Sequence, residues 1–432
     1  MKSATKILVD LTIAAVQLNP QIGKVNETIS RAKLLLNTFK TKLDTEVPKK
    51  KLDLIVFPEF ALTGYNFISR DHILPYTYTA ESSPSFKFAQ NVSKMFDCYT
   101  VIGYPECETE SKETLYNSAV VVSPKGDLVF NYRKSFLYYT EDNWDCSENP
   151  KQFQNFPLSF PGKGNNVNDT DGKPIDITLN TSVGICMDLS PYKFEAPFND
   201  CEFASFNIDK KVELIICPMA WLHSSSITKN EYESDEKTSN DVISDRLEEI
   251  KSNLEAHDLA IIGSQGDFQI DIDNNHVTER LSVGSPEIEH DYRRLNEPDM
   301  SNINYWMLRF MPFLHLNVRK YWAERGLMSD KFKEIGDASY MGASREDYWN
   351  FSNKNAILVI ANRCGVESGD TVFAGSSGMY KFNGRDNFDI NELTKDDNKR
   401  LDTTNPSVDL YGNLGKGREG IIMRTVEFEI DR

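Results

Sequence analysis

The stretch TIAAVQLNPQIGKVNETISRAKLLLNTFKTKLDTEVPKKKLDLIVFPEF, residues 12–60, carries two hydrophobic rhythms. TIAAVQL (12–18) and LDLIVF (52–57) are short runs rich in β-branched residues, the mark of strands. Between them NETISRAKLLLNTFKTKL (26–43) repeats its apolar residues at helical spacing. Strand, helix, strand is the unit of an α/β protein. The second run ends on Pro58-Glu59-Phe60, so a carboxylate stands at a strand end, wedged between a proline and an aromatic ring.

The same alternation continues outward. YTVIGY (99–104), NSAVVVS (117–123), TSVGI (181–185), VELIICP (212–218), AIIGSQG (260–266), NAILVIA (355–361), TVFAGSS (371–377) and GIIMRTVEFEI (420–430) read as strands. PSFKFAQNVSKMF (84–96) and VISDRLEEIKSNLEAH (242–257) read as helices. VVVSPKGDLVFNYRK (120–134) predicts a hairpin, because Pro124-Lys125-Gly126 supplies turn chemistry between two strands. An α/β sandwich follows, as a single domain over 7–432 with an inserted segment at roughly 270–352 where the rhythm breaks. Within that segment NINYWMLRFMPFLHLNVRKYWAERG (302–326) is apolar nearly all round, which predicts a helix docked on the body. The strands flanking the insertion could continue one sheet.

Composition narrows the functional classes. A formal net charge of −17 argues against a nucleic-acid footprint and against attraction to anionic membranes. Asp10 interrupts the apolar N-terminal run, leaving neither a secretory signal nor a membrane span. Seven cysteines without a C-x-x-C pair point to a reducing, cytoplasmic setting rather than a disulfide framework or a thiolate zinc site. No H-E-x-x-H or comparable spacing occurs, so neither a metal nor another cofactor is expected.

Three strand ends carry reactive groups. Glu59 follows LDLIVF, Lys134 follows the hairpin strand, and Cys186 follows TSVGI, where Ser190-Pro191 then stops regular structure. Any one of them alone is more often structural, and a free cysteine is more often core. Side chains at strand ends along one edge of a sheet converge, however, and this trio suits acyl transfer. The thiol attacks, the carboxylate moves protons, and the ammonium favours the thiolate and stabilises an oxyanion. A cysteine–histidine arrangement is the competing reading. His223, just after CPMAWL, is the sole nearby histidine and reads better as a surface or supporting residue.

FPEFALTGY (57–65), YRKSFL (132–137) and GICMDLSPY (184–192) together resemble the nitrilase superfamily of carbon–nitrogen hydrolases, with ICPMAWL (216–222), ANRCG (361–365) and FAGSSG (373–378) as further similar blocks. The resemblance implies an αββα sandwich with mixed sheets, Glu59 as base, Lys134 on the oxyanion side, and Cys186 as nucleophile. Many members place a second glutamate shortly after the lysine. Glu141 matches it best, with Asp142 and Asp145 crowding it. NYRKSFLYYTEDNWDC, GICMDLSPYKFEAPF and YGNLGKGREG resemble the superfamily's fungal-type N-terminal amidase branch. That likeness implies deamidation of N-terminal Asn and Gln of proteins or peptides through a thioester, upstream of N-degron degradation.

Such a substrate needs a counter-charge for its α-amine and a pocket for a short amide side chain. Asp188, Glu141 and Asp142 are the candidates for the charge, and Tyr65, Met187 and Trp221 for the pocket. A general ω-amidase or nitrilase acting on a small free metabolite is the alternative, and a catalytically dead scaffold a further one. Oligomeric state stays open.

Overall fold

Strand β1 (Lys6–Gln17) is the joint of the molecule. It pairs antiparallel along its whole length with β15 (Gly420–Asp431). On its other edge Ile7–Val9 pair with β6 (Asn155–Asn166), while Ile13–Ala15 pair with β2 (Leu54–Val56). The chain continues through β3 (Tyr99–Cys107), β4 (Leu115–Val122) and β5 (Leu128–Arg133), then β7 (Ile175–Val183), β8 (Leu214–Met219) and β9 (Gln269–Ile272). It ends with β10 (Ala356–Asn362), the short pair β11 (Val366–Glu367) and β12 (Thr371–Val372), β13 (Gly378–Phe382), β14 (Val408–Asn413) and β15. The computed structural model describes residues 5–167, 173–223, 252, 268–272, 295–314, 316–329, 349–368, 371–386 and 407–432. The strand read at 260–266 and, save residue 252, the helix read at 242–257 lie outside the described residues.

Because β1 divides its pairing, one mixed sheet bends into two layers. One layer runs β9-β15-β1-β2-β3-β4-β5 and the other β14-β13-β10-β8-β7-β6. The period of two along each strand sorts the side chains. Val9, Leu11, Ile13 and Ala15 of β1, with Leu54, Val56, Val101, Ala119 and Val121, join one core with Leu158, Leu179, Ile215 and Val359 of the second layer. The alternate residues Ala14, Val16, Ile55, Ile102, Val120 and Val122 face the opposite way, onto the helices Val25–Glu46 and Pro84–Phe96. Helices Glu202–Asp209 and Met300–Leu308 pack in the core shared with the second layer. The result is the expected αββα sandwich. Strands buried on both faces read as continuous apolar runs, which is why they were legible.

Local chemistry accounts for the elements. Helix Val25–Glu46 buries Ala32, Leu35, Leu36, Phe39 and Leu43, one stripe at three- and four-residue intervals. Helix Pro84–Phe96 starts where the Ser83 hydroxyl accepts from the N–H groups of Ser85 and Phe86, has Pro84 in its first turn, and stops at a left-handed Asp97. The hairpin turns where Gly126, at φ 93°, donates to the Ser123 carbonyl at 2.8 Å.

Two expectations are revised. TVFAGSS forms a strand over Thr371–Val372 alone, because Gly375 turns the chain at φ 52°, so close to Lys416 that a Cβ would sit 2.3 Å from its carbonyl oxygen. The aromatic stretch 302–326 is not one helix. Pro312 interrupts it, leaving Met300–Leu308, a short turn at Met311–Phe313, and Leu316–Ser329. Trp306 and Trp322 are buried, so this segment does dock on the body. β10, which follows it, is the parallel neighbour of β8 from Leu214 opposite Ile357 to Met219 opposite Asn362, whereas β9, which precedes it, pairs with β15.

Candidate active site

The ends of β2, β5, β7 and β8 meet, and they carry Glu59, Lys134, Cys186 and Ala220. Glu59 sits against β3 where Gly103 lacks a side chain: a Cβ there would lie 2.6 Å from the Glu59 Cα. Phe60 follows in a left-handed conformation, at φ 45°, turning the chain sharply away. Lys134 Nζ donates to Glu59 Oε1 at 2.9 Å and to Glu141 Oε2 at 2.8 Å, all three residues being buried. The Ala220 N–H donates to the other Glu59 oxygen at 2.7 Å, and the Tyr138 N–H to Glu141 Oε2 at 2.7 Å.

Asn117 completes this cluster. Its Nδ2 donates to Glu59 Oε1 at 2.6 Å and to Glu141 Oε1, so it ties the two carboxylates together from the floor of β4. Sequence reasoning missed it. The one available signal was an amide inside the apolar run NSAVVVS, where a buried polar group must find partners.

Cys186 opens the turn after β7 with a left-handed backbone, φ 45°, the kind of strain that concentrates at functional sites. The thiol does not behave as expected from its cation. Burial first, and the Glu59 carboxylate second, push it well above the ordinary thiol range, and the opposing pull of Lys134 is outweighed. Burial works against the Lys134 charge as well, but Glu141 and Glu59 hold its ammonium well above the usual lysine range. Burial raises Glu141, with Lys134 opposing. The resting site is therefore a neutral thiol beside a lysine shared by two carboxylates, a set suited to proton transfer coupled with nucleophilic attack.

Above the cluster lies a cavity of about 520 Å³ lined by Cys186, Met187, Tyr65 and Trp221, with Tyr138, Ser190, Phe194, Ala220 and Leu222. Its remaining wall comes from the inserted segment, through Ser301, Asn302 and Tyr305. Asn302 Oδ1 accepts from Trp221 Nε1 at 2.9 Å, and its Nδ2 donates to the Leu222 carbonyl at 3.2 Å. Met187, Tyr65 and Trp221, the residues expected around a pocket, lie in this lining, while no sequence pattern pointed to the share of the inserted segment.

The proposed counter-charges are corrected in part. Glu141 is in the cluster. Asp142 is exposed and outside the cavity lining, as is Asp145, which lies 3.6 Å from Arg70. Asp188 is buried beneath the site with its acceptors occupied: the N–H groups of Ser135, Phe136 and Ile185 donate at 3.0, 2.8 and 2.8 Å, and the Tyr132 hydroxyl at 2.9 Å. It stitches the lysine turn to the cysteine turn, and burial pushes its carboxyl up to about 7. Among the described residues, no carboxylate lines the cavity. His223 is buried rather than at the surface, with Nε2 3.3 Å from Asp299 Oδ2, and does not line the cavity either.

Arg309, at the end of the first inserted helix, anchors the turn that follows Cys186. It donates to the Leu189 carbonyl at 2.6 Å and to the Phe198 carbonyl, and pairs with buried Glu202 at 3.1 Å. Among the described residues, no group of His, Cys, Asp and Glu is placed to hold a metal ion, and no helix is long and apolar enough to cross a membrane.

Residues 12–190 match the carbon-nitrogen hydrolase family model. The whole chain aligns with 98% of the protein N-terminal amidase of Saccharomyces cerevisiae at 46% identity. Two crystal structures of an N-terminal amidase, one with a Gln-Val peptide and one with an Asn-Glu-Ala peptide, match with a TM-score of 0.83. They are 44% and 45% identical to this chain, over 99% of its length and 100% of theirs.

Proposed function

The chain belongs to the carbon–nitrogen hydrolases, on the branch of the protein N-terminal amidases, and from that premise we propose that it hydrolyses the side-chain amide of an N-terminal Asn or Gln. Asp or Glu and ammonia are the products. The observation that carries this reading is the buried Glu59–Lys134–Glu141 cluster beside Cys186, whose side chain lines one cavity.

In this account Cys186 Sγ attacks the amide carbon while Glu59 takes the thiol proton. Moving that proton from sulfur to carboxylate leaves the net charge of the site unchanged, so a thiol held above its ordinary range is no obstacle. Lys134 stabilises the oxyanion of the tetrahedral adduct. The C–N bond then breaks, the nitrogen leaves as ammonia with the proton from Glu59, and a thioester remains on Cys186. Glu59 next deprotonates water, which attacks the thioester carbon; the thiolate leaves and is reprotonated. Glu141 and Asn117 hold Lys134 and Glu59 in register.

The new acidic terminus would serve an N-degron pathway, and the acidic, thiol-bearing chain suits the cytoplasm. The whole inserted segment is, on this view, part of a single hydrolase domain. Ammonia release from short peptides that differ only in their first residue tests the activity: Asn and Gln peptides should react, while N-acetylated peptides, internal Asn and free asparagine should react poorly. Preference for free asparagine over the peptides would favour a small-metabolite amidase instead.

A further inference from the structure

A second cavity, of about 460 Å³, lies where the approach to β8, the end of β15 and residues 350–355 meet. Glu213, just before β8, lines it, while Ala220, just after β8, lines the cavity of Cys186, so about 20 Å of strand separates the two. Phe313, Phe351, Ile208 and Ile430 give the second cavity a buried apolar floor. Its rim is cationic, in a chain of formal net charge −17. Of the lining carboxylates, Glu213 is held by Arg432 at 2.6 and 2.9 Å, and Glu429 by Lys6 at 2.7 Å. Asp431 is left against Lys210, Lys211 and Lys354, none of which forms an ion pair among the described residues. Lys354 is half-buried, and its Nζ donates to the Asn350 amide oxygen at 3.4 Å. Burial first, and the Lys211 charge second, lower its ammonium below the usual lysine range, with Asp431 opposing. Asn180 Nδ2 donates to the Lys210 carbonyl at 2.5 Å, which fixes the turn that carries Lys210 and Lys211. Like charges are thus held together beside an apolar hollow, and an anion would balance them.

We propose that this cavity binds a small organic carboxylate, with the anionic head between Lys211 and Lys354 and the apolar body on Phe313 and Phe351. The volume suits a small molecule. Each half of the site selects one half of the ligand. The floor gains by burying apolar surface and is indifferent to charge, whereas the two ammonium groups select an anion. A neutral molecule would leave the like charges unbalanced, and a bare inorganic anion would leave the floor uncovered. Because the cavity and Cys186 lie at opposite ends of β8, the inference stands apart from the amidase reading.

The test is calorimetric titration of the full chain with hydrocinnamate, its neutral counterpart hydrocinnamyl alcohol, and inorganic phosphate, with folding checked by thermal melting. The native protein should bind hydrocinnamate with a Kd of about 1 mM, as expected for a ligand of that size. The alcohol and phosphate should bind about tenfold more weakly or worse, each lacking one half of the recognition. In the double variant Lys211→Met with Lys354→Met, hydrocinnamate should bind no better than the alcohol does. Lys354→Arg keeps the charge and should keep most of the affinity, which separates loss of charge from loss of fold. Equal binding of hydrocinnamate and the alcohol, hydrocinnamate binding unchanged in the double variant, or no saturation up to about 10 mM would overturn the site.

Discussion

Arg309 donates to the carbonyl oxygen of Leu189 at 2.6 Å, so a residue of the inserted segment holds the chain three positions beyond Cys186. Its guanidinium also pairs with Glu202, and both side chains are almost fully buried. Breaking such a pair leaves an uncompensated buried charge, which costs about 3–5 kcal/mol, whereas removing both charges costs far less. Arg309→Met should therefore lower stability in denaturant melts by that order, and Arg309→Met with Glu202→Gln should recover much of it. A double variant no more stable than the single would show that the carbonyl contacts, not the ion pair, hold the turn.

Lys134 and Glu59 are expected to act on turnover. Lys134→Met removes the charge proposed to meet the oxyanion, and kcat should fall by about a hundredfold or more. Glu59→Gln keeps the shape but cannot move a proton, with a penalty of at least about the same size. His223→Ala should retain turnover, since His223 does not line the cavity. Loss of activity in His223→Ala with retention in Glu59→Gln would replace the present scheme by a cysteine–histidine one.

The raised thiol gives a prediction of opposite sign for alkylation. Glu59 raises Cys186 and Lys134 lowers it. Glu59→Gln should thus speed iodoacetamide labelling of Cys186 at fixed pH while abolishing amidase activity, and Lys134→Met should slow labelling. Parallel loss of labelling and activity in Glu59→Gln would contradict this electrostatic account.

Asp188 links stability to pH. Burial raises its carboxyl from 3.8 to about 7 in the folded protein, so between those values the folded state binds more protons than the unfolded one. Its contribution is complete below the unfolded value and is lost as pH rises through about 7. The stability advantage of the native protein over Asp188→Asn should shrink from pH 4 to pH 7 and level off above. An advantage that grows over that range would show that the four donors around Asp188 override its burial.

How much of this was legible in the chain depends on where each signal sits. Glu59 and Cys186 stand out because each follows a buried apolar run, and Lys134 because it follows the half-buried hairpin strand β5; strand ends along one sheet edge converge. Asn117 was hidden because one amide within an apolar strand carries no local pattern. β6 escaped notice because Pro157, Pro161, Gly162 and Gly164 carry breaker signals inside it. Yet Phe156, Leu158 and Phe160 keep the alternation that packs it. Asn302 and Tyr305 lie more than a hundred residues beyond Cys186, and only packing brings them to its cavity. Asp188 was misassigned because proximity in sequence to Cys186 does not say on which side of the turn a carboxylate lies.

The central claim is that Cys186 carries the acyl group. The direct measurement is the intact mass of enzyme mixed with a Gln-starting peptide and quenched in acid within the first turnovers, followed by mapping of the adduct. The account predicts an added mass equal to the peptide minus ammonia, located on Cys186 and missing from Cys186→Ala, which releases no ammonia. An adduct on another cysteine, or full ammonia release by Cys186→Ala, would contradict it.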